Sequence, residues 1–573
     1  MRIARVRLQR FRGFESADIL FPGHAVVAGE PRAGRSDLIQ ALRRVLDARS
    51  TRGRANPLDI HRPGPTDGLM VLTEVEVTLL DLSEDLKQLL SDSLETFHPE
   101  TVEIAVGSGA GSAVLGVRFC YRAHYDDVSD TGDHWVDYPS KSDVASGTFR
   151  KVPRTDREAI PIMFINAAPP LQVRAEGAFR AIVEASNPAA LEATLSTLRD
   201  EIQDATHEFS KSAEVAGGIK AVLAAGAGDL LEIADTVPFD FVPEDGTMAA
   251  LLRSLQPAFQ LDAAGELPIA SHGSTTVGVF SASEAIAAAN ARDGGLVVVG
   301  DDFGDTLDAS SAEHLALLLH KAASQVILTT RRVDVVRAFQ VEQLLRLTRS
   351  HGSRRQHRLG MSDKGKRVVR RLALDQLLGA LSARTVGLLE GPLDVEGYGA
   401  LSARLARSTG DRLHSFAANG IRLVAPPGTD GGIDRLEGLA KLAGELGFHV
   451  RAVVDSDKPG ANDPQIEALL AISEQVVVLP TRTAIEGALI RGIYANDLRA
   501  MVESLAEIGM PPLPADLEDA NVASYLIASK ILKKQGIHLG WVHALKKQPL
   551  IARKVIEALC GDELGRVDID DGA

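Results

Sequence analysis

Cysteine is nearly missing from this chain: Cys120 and Cys560 are the only two, and they lie far apart in sequence. That excludes a disulfide framework and a four-cysteine zinc site, and it fits a reducing cytoplasm. Long apolar runs are missing as well, so no bilayer-spanning segment is expected. The opening MRIARVRLQRF lacks the apolar stretch of a signal peptide. A cytoplasmic location is therefore expected. No internal repeat and no long low-complexity segment interrupts the chain.

The composition, 45% hydrophobic and 24% charged over 573 residues, is ordinary for a globular chain of several domains. The net charge of −15 argues against a protein that coats nucleic acid. Basic residues are nevertheless concentrated in two places. Arg346, Arg349, Arg354, Arg355, Arg358, Lys364, Lys366, Arg367, Arg370 and Arg371 stand against the single acid Asp363. Lys530, Lys533, Lys534, Lys546, Lys547, Arg553 and Lys554 form the second group. Such groups can grip phosphates or can be solvated loops and helix faces.

Hydrophobic periodicity divides the chain. MRIARVRL alternates as a half-buried strand does, HAVVAG reads as a buried strand, and SDLIQALRRVLD places Leu38, Leu42 and Leu46 on one helix face. LMVLTEVEVTLL, TVEIAVG, AVLGVRFCYRAHY and IPIMFINA are β-rich, separated by turn-forming stretches that include DDVSDTGDH, expected to be mobile. Residues 172–245 read as amphipathic helices with no strand signal, a helical insertion suited to dimerisation. Strand and helix patterns return over 246–349. The basic segment 350–382 reads as a linker or hairpin. A second α/β unit follows over 383–495, with strands TVGLLEG, IRLVAP, HVRAVVDSD and QVVVLP, and 496–573 is expected to be a mostly helical tail.

Gly29-Glu30-Pro31-Arg32-Ala33-Gly34-Arg35-Ser36 has the spacing of a phosphate-binding loop between a strand and a helix, with Arg35 where lysine is usual. Its glycines let backbone N–H groups wrap phosphates, and Ser36 is placed to hold Mg²⁺. The apolar strand LVVVG delivers Asp301 and Asp302, an acid for the metal and an acid for the attacking water. Thr306-Leu307-Asp308 follows. A glycine turn and a strand that happens to end in acids would each be unremarkable alone; together at this spacing they point to a nucleotide site.

The second unit carries a set of carboxylates. Glu390 ends the strand of GLLEGPLDVEGY and Asp394 follows four residues later. Asp455 and Asp457 end the strand of RAVVDSD, on the same side by alternation. In a parallel α/β sheet these strand ends share one edge, where ligands bind. Oxygen ligands of this kind suit Mg²⁺ or Mn²⁺. The alternative is a row of acids that cap strands on a solvated edge.

On these motifs the chain resembles a known family. LQRFRGFESADILF before the phosphate loop, with Arg12-Gly13-Phe14, resembles the RecF, SMC and OLD ATPases. Strand–Glu-Gly, then strand–Asp-x-Asp, resembles the Toprim domain over roughly 383–490, and Asp394 with Glu486 of LPTRTAIEGAL resembles its OLD version. The whole order is similar to the OLD (overcoming lysogenization defect) nucleases, a family that includes the nuclease of the Gabija anti-phage system. The resemblance implies an α/β protein: an ABC-type ATPase domain with a helical insertion, a Rossmann-like Toprim domain and a helical C-terminal region.

It further implies ATP at Gly29, Gly34, Arg35, Ser36, Asp301 and Asp308. Ser271 and Gly273, in Ser271-His272-Gly273-Ser274, are expected to serve as the signature that closes on a partner subunit's nucleotide. Arg331 stands where a switch histidine is common. Arg35, Asp302, Arg331 and the altered signature imply slow turnover. For the second site the resemblance implies two-metal phosphodiester cleavage by Glu390, Asp394, Asp455, Asp457 and Glu486, with Glu390 as ligand or proton carrier and one of Lys530, Lys533 or Lys534 assisting. DNA is the expected partner, with a homodimer or larger oligomer and a helicase or other defence protein alongside. Only Tyr494 and Tyr525 follow the second unit at hand for a topoisomerase, and two cysteines cannot build a primase zinc module. The different-class alternative is an ATP-binding scaffold with an inactive Toprim unit.

Overall fold

The computed structural model describes the chain apart from residues 62–71, 106–112, 127–129, 166–169, 172–177, 187, 214, 218–256, 261–264, 293–294, 351–352, 361–366, 429–431, 457–462, 534–537, 546, 548 and 571–573. The first strands are β1 (Arg2–Phe11), β2 (Phe14–Leu20) and β3 (Ala25–Gly29), and β3 runs through the phosphate-loop sequence into α1 (Arg35–Leu46). Leu38, Leu42 and Leu46 of α1 are buried on one face, as their spacing predicts.

Next come β4 (Thr73–Leu80), β5 (Glu95–Phe97), β6 (Val114–Asp126) and β7 (Thr131–Asp137), which join the first hairpin in an antiparallel sheet of order β2-β1-β4-β6-β5, with β7 on β6. In β4 the alternation is plain: Val75, Val77 and Leu79 face the core while Glu74 and Glu76 are partly exposed. Two readings of this region change. The TGDH of the segment expected to be mobile opens β7, which pairs with β6 from Asp126↔Thr131 to Cys120↔Asp137. TVEIAVG supplies, among the described residues, only a single bridge from Ile104 to Phe97.

After β8 (Ile162–Phe164) come the helices α2 (Ala178–Ser186) and α3 (Pro188–Lys211), which occupy the described part of the expected insertion; its GGIKAVLAAGAGDLLEIADTV lies almost wholly outside the described residues. A short hairpin, β9 (Ala258–Gln260) with β10 (Glu266–Pro268), precedes α4 (Ser274–Asn290). Then follow β11 (Val297–Gly300), α5 (Ala309–Ala322), β12 (Gln325–Thr329), β13 (Leu344–Ser350) and β14 (Ser353–Arg358). The second sheet runs β14-β13-β3-β12-β11-β8 and is parallel except for the β13–β14 hairpin. Its inner strands are apolar on both faces, as buried parallel strands must be. Val27, Val299 and Ile327 pack toward α1 and the first sheet, whereas Val26, Val298 and Leu328 pack toward α4 and α5.

Of the two readings of the basic segment, linker or hairpin, its first part is the hairpin: β14 pairs back on β13 as the edge strand, and the helix α6 (Arg367–Leu377) follows. The arginines of the first basic group, Arg346 to Arg371, do not form one solvated patch. Arg346, in β13, is fully buried, and Arg371 donates to the Phe339 carbonyl at 3.1 Å.

The second unit contains β15 (Thr385–Leu388), α7 (Pro392–Thr409), β16 (Ile421–Val424), α8 (Ile433–Glu445), β17 (His449–Val454), β18 (Gln475–Val478), α9 (Ile485–Ile490), α10 (Leu550–Cys560) and β19 (Gly565–Asp568). The strands form one parallel sheet of order β16-β15-β17-β18-β19. The C-terminal region is therefore not helical throughout, because it closes this sheet with β19. One continuous apolar cluster joins the two units, holding Leu344 and Leu359 with Leu377, Leu436 and Val450. No helix among the described residues is long and apolar enough to cross a membrane.

Candidate functional site

The phosphate loop is shaped by two glycines. Gly29 has φ +151°, and a Cβ there would fall 2.2 Å from the Leu347 carbonyl oxygen of the neighbouring strand. Gly34 caps α1 at φ +96°, a conformation that side chains resist. No side chain caps this helix end. Its first amides are therefore left for a ligand or water. Ala33 N–H closes the loop on the Glu30 carbonyl at 3.2 Å.

The acids expected from LVVVGDD meet this loop. Ser36 Oγ donates to Asp301 Oδ1 at 3.1 Å, and Thr329 Oγ1 donates to the same oxygen at 2.6 Å. Thr329 Oγ1 in turn accepts from the Asp302 backbone N–H at 2.8 Å. Thr329 was not anticipated as a site residue; its place at the end of the buried strand QVILT, beside the acid-bearing strand, is the signal that identifies it. Asp302 stands in the left-handed region at φ 43°, which a short acidic side chain tolerates better than most.

Arg35 reaches across the site rather than out of it. It donates to the Thr330 carbonyl at 2.9 Å and lies 3.7 Å from Asp302 Oδ1. Arg331 approaches the other Asp302 oxygen at 3.9 Å and is hydrogen-bonded to Asp305. Burial raises the Asp302 carboxyl above the usual carboxylate value; Arg35 and Arg331 oppose the rise, and Asp301 and Asp305 add to it. The same burial holds the Arg35 guanidinium below its ordinary value. The site is thus a compact network of three acids, Asp301, Asp302 and Asp305, and two arginines beside the loop.

Two expected nucleotide contacts have structural work here. Asp308 caps α5, accepting from Ser311 N–H at 3.0 Å. Ser271 and Gly273 are exposed at the N-terminal end of α4, and the adjoining Thr275 donates to the Thr306 carbonyl at 2.8 Å. That bond ties the first turn of α4 to the Thr306–Asp308 segment.

In the second unit Glu390 follows β15 and Asp455 follows β17, two adjacent parallel strands. The chain crosses in opposite directions from β15, to β16 on one side and to β17 on the other. This reversal leaves a crevice at the C-terminal strand ends. Across it Asp455 N–H donates to Glu390 Oε1 at 2.9 Å. Asp394, in the first turn of α7, accepts from Gly391 N–H at 2.9 Å. Ser456 bridges to Thr483, which brings the start of α9 to the same edge, and Glu486 of that helix is buried.

Tyr398 was not foreseen. Its ring is buried and its hydroxyl has no hydrogen-bond partner among the described residues. Burial, with the nearby Asp455 and Asp394 carboxylates, pushes the phenol well above its ordinary value. Asp457 and Lys534 lie outside the described residues, and Lys530 is exposed at φ 52°. Among the described residues no group of three His, Cys, Asp or Glu side chains is arranged to hold a metal ion. Of these acids, Glu390 and Asp394 each accept a backbone N–H.

The sheets and the two sites define a mixed α/β chain with a phosphate loop in its first unit and a carboxylate edge in its second. No family model and no curated protein matches the sequence. Among solved structures the chain is similar to the Smc head bound to the C-terminal winged-helix domain of ScpA, at 13% identity and TM-score 0.34, over 63% of this chain and 99% of that one. It is also similar to the Smc head domain with an extended coiled coil bound to the C-terminal domain of ScpA derived from Pyrococcus furiosus, at 13% identity and TM-score 0.34, over 62% and 96%. A third similarity is to the SMC head domain from Thermotoga maritima, at 12% identity and TM-score 0.27, over 63% and 100%.

Proposed function

We propose that this chain is an ATP-binding, metal-dependent DNA endonuclease of the OLD type, in which nucleotide at the first site regulates phosphodiester hydrolysis at the second. The observation that carries the first half is the convergence of Ser36 and Thr329 on Asp301 beside an uncapped helix end. Loop amides would hold phosphates, Ser36 and Asp301 would hold Mg²⁺, and Asp302 would orient water. Turnover is slow in this reading, because Arg35 is engaged by Thr330 and Asp302 and a planar guanidinium does not replace a slim ammonium.

The second half is supported by Glu390 and Asp455 meeting at the crevice between β15 and β17. The donor set that the resemblance implies, Glu390, Asp394, Asp455, Asp457 and Glu486, is all carboxylate, a chemistry that suits Mg²⁺ or Mn²⁺. Such ions supply an activated water and stabilise the leaving oxygen. The protein's part is to bring the acids to one edge and to keep Tyr398 protonated beneath them. Glu390 and Asp394 would release their backbone amides to bind metal. The helices of the insertion would join two copies of the chain, and a helicase or other defence protein would act alongside.

The engagement of Glu390 and Asp394 with backbone amides also favours a second reading, an ATP-binding scaffold whose carboxylate edge is silent. Nicking of supercoiled plasmid with Mg²⁺ or Mn²⁺, with and without ATP, separates the two. Metal-dependent nicking that responds to ATP supports the endonuclease; nucleotide binding with no nicking under any metal supports the scaffold.

A further inference from the structure

The phosphate loop has two ends. At one, Arg35 and Ser36 face Asp301 and Asp302. At the other, Gly34 and Asp37 lie against the β1–β2 turn, and there the edge strand β14 inserts Arg354. A Cβ on Gly13 would come within 2.0 Å of the Arg354 guanidinium carbon, and one on Gly34 within 2.7 Å of its Cδ. The two glycines leave the space that this side chain fills. The guanidinium also stands 5.5 Å from the centre of the Phe14 ring.

Arg354 is short of counter-charge. Its carboxylate partner among the described residues is Asp37 at 3.8 Å, which Arg12 shares at 3.9 Å. Its side chain is only 14% exposed, and Nε is buried with no hydrogen-bond partner among the described residues. Burial, with repulsion from the exposed Arg349 and Arg32, holds its pKa below the ordinary value. Arg354 is repelled by Arg32 and Arg349, its Asp37 is shared with Arg12, and Glu30 of the loop is turned onto the Arg349 amide, so the cluster makes a place that an anion completes.

We propose that Arg354, flanked by Arg32 and Arg349, holds the α-phosphate end of a nucleotide whose terminal phosphates lie at Ser36 and Asp301. A phosphate chain seated on the loop with its terminal end at the acids must leave the loop at the opposite end. The inference rests on the nucleotide reading above and adds a residue to it that belongs to none of the loop's own positions.

The test is calorimetry on the full chain with Mg²⁺, titrating ADP, a non-hydrolysable ATP analogue and inorganic pyrophosphate. Arg354→Ala is expected to weaken both nucleotides by roughly tenfold or more, the usual scale for a charged hydrogen bond. Pyrophosphate, which fills only the terminal end, is expected to change less than about twofold. Arg354→Lys keeps the charge and guards against a folding defect; it should recover part of the nucleotide affinity, with an unchanged melting temperature as the check. Wild type that binds nucleotide while both variants bind it equally well would overturn the inference and leave the nucleotide site standing. Wild type that binds pyrophosphate but no nucleotide would overturn it too, and wild type that binds none of the three would overturn the site with it.

Discussion

The guanidinium carbon of Arg346 lies 3.6 Å from the centre of the Phe448 ring, so a residue of the phosphate-loop sheet is seated in the second unit. Arg346 pairs with Ala28 of β3, one residue before Gly29. Its three nitrogens donate to the carbonyls of Leu381 at 3.2 Å, Leu446 at 2.7 Å and Ala383 at 2.6 Å. A buried cation is costly unless it is hydrogen-bonded, and here each of its three nitrogens has a carbonyl partner. Arg346→Ala would leave three carbonyls without this donor, each at about 1–3 kcal/mol. The expected result is a loss of about 3 kcal/mol or more in urea unfolding. Arg346→Met, which keeps much of the volume, should fall between. A loss under about 0.5 kcal/mol would show that the two units do not depend on this plug.

Arg35→Lys tests why turnover should be slow. Lysine cannot span from the Thr330 carbonyl to Asp302 with a planar fork, so its ammonium is freed toward the phosphates. Nucleotide affinity is expected to stay within about threefold while steady-state phosphate release rises by about tenfold. Release that is already fast in wild type, or that falls in the variant, would show that the guanidinium does not restrain the site.

Acid should weaken the first unit through His24. Its ring stacks on His320 with centroids 4.0 Å apart, and Nδ1 accepts from Val326 N–H at 3.1 Å. Burial, with repulsion from His320, lowers its pKa from 6.5 to about 4. Between those values the unfolded chain binds more protons than the folded one. The stabilisation is therefore complete above pH 6.5 and is lost progressively as pH falls toward 4. His24→Gln should flatten the melting temperature across this window relative to wild type. An identical fall in both proteins would place the acid sensitivity elsewhere.

The legibility of this chain follows burial. Strands β3, β11, β12, β15, β17 and β18 are apolar runs in the sequence because both their faces are covered, and the acids and glycines at their ends were readable from the same runs. Strands β7, β14 and β19 were not, and each lies at a sheet edge. An edge strand draws its order from one line of backbone pairing and faces water, so Ser353-Arg354-Arg355-Gln356-His357-Arg358 carries charge instead of an apolar pattern. The edge position hid Arg354, whereas Arg346 was hidden on the inner strand β13 by the charged run it opens. A run of arginines in sequence gives no sign of which one turns inward, since that depends on a glycine at position 13 or an aromatic ring at position 448. Tyr398 was hidden differently, because a helical tyrosine near acids has no spacing that marks it.

The carboxylate edge offers the last test, and Tyr398 makes it informative. Asp455→Ala removes a side chain at the crevice but leaves the Asp455 N–H bond to Glu390 in place, because that bond comes from the backbone. Folding should therefore be unaffected, while Mg²⁺- or Mn²⁺-dependent plasmid nicking should fall below detection. Tyr398→Phe asks what the buried hydroxyl is for. A buried hydroxyl with no partner is a cost of about 1–3 kcal/mol, so its removal should leave stability equal or raise it. If its purpose is to donate to Asp455 or Asp394 once those acids turn toward metal, the phenylalanine variant should need more Mg²⁺ for half-maximal nicking at an unchanged melting temperature. A folded Asp455→Ala protein that nicks as wild type does would remove the carboxylate edge from the chemistry. A Tyr398→Phe protein with wild-type metal dependence would reduce the hydroxyl to a packing residue.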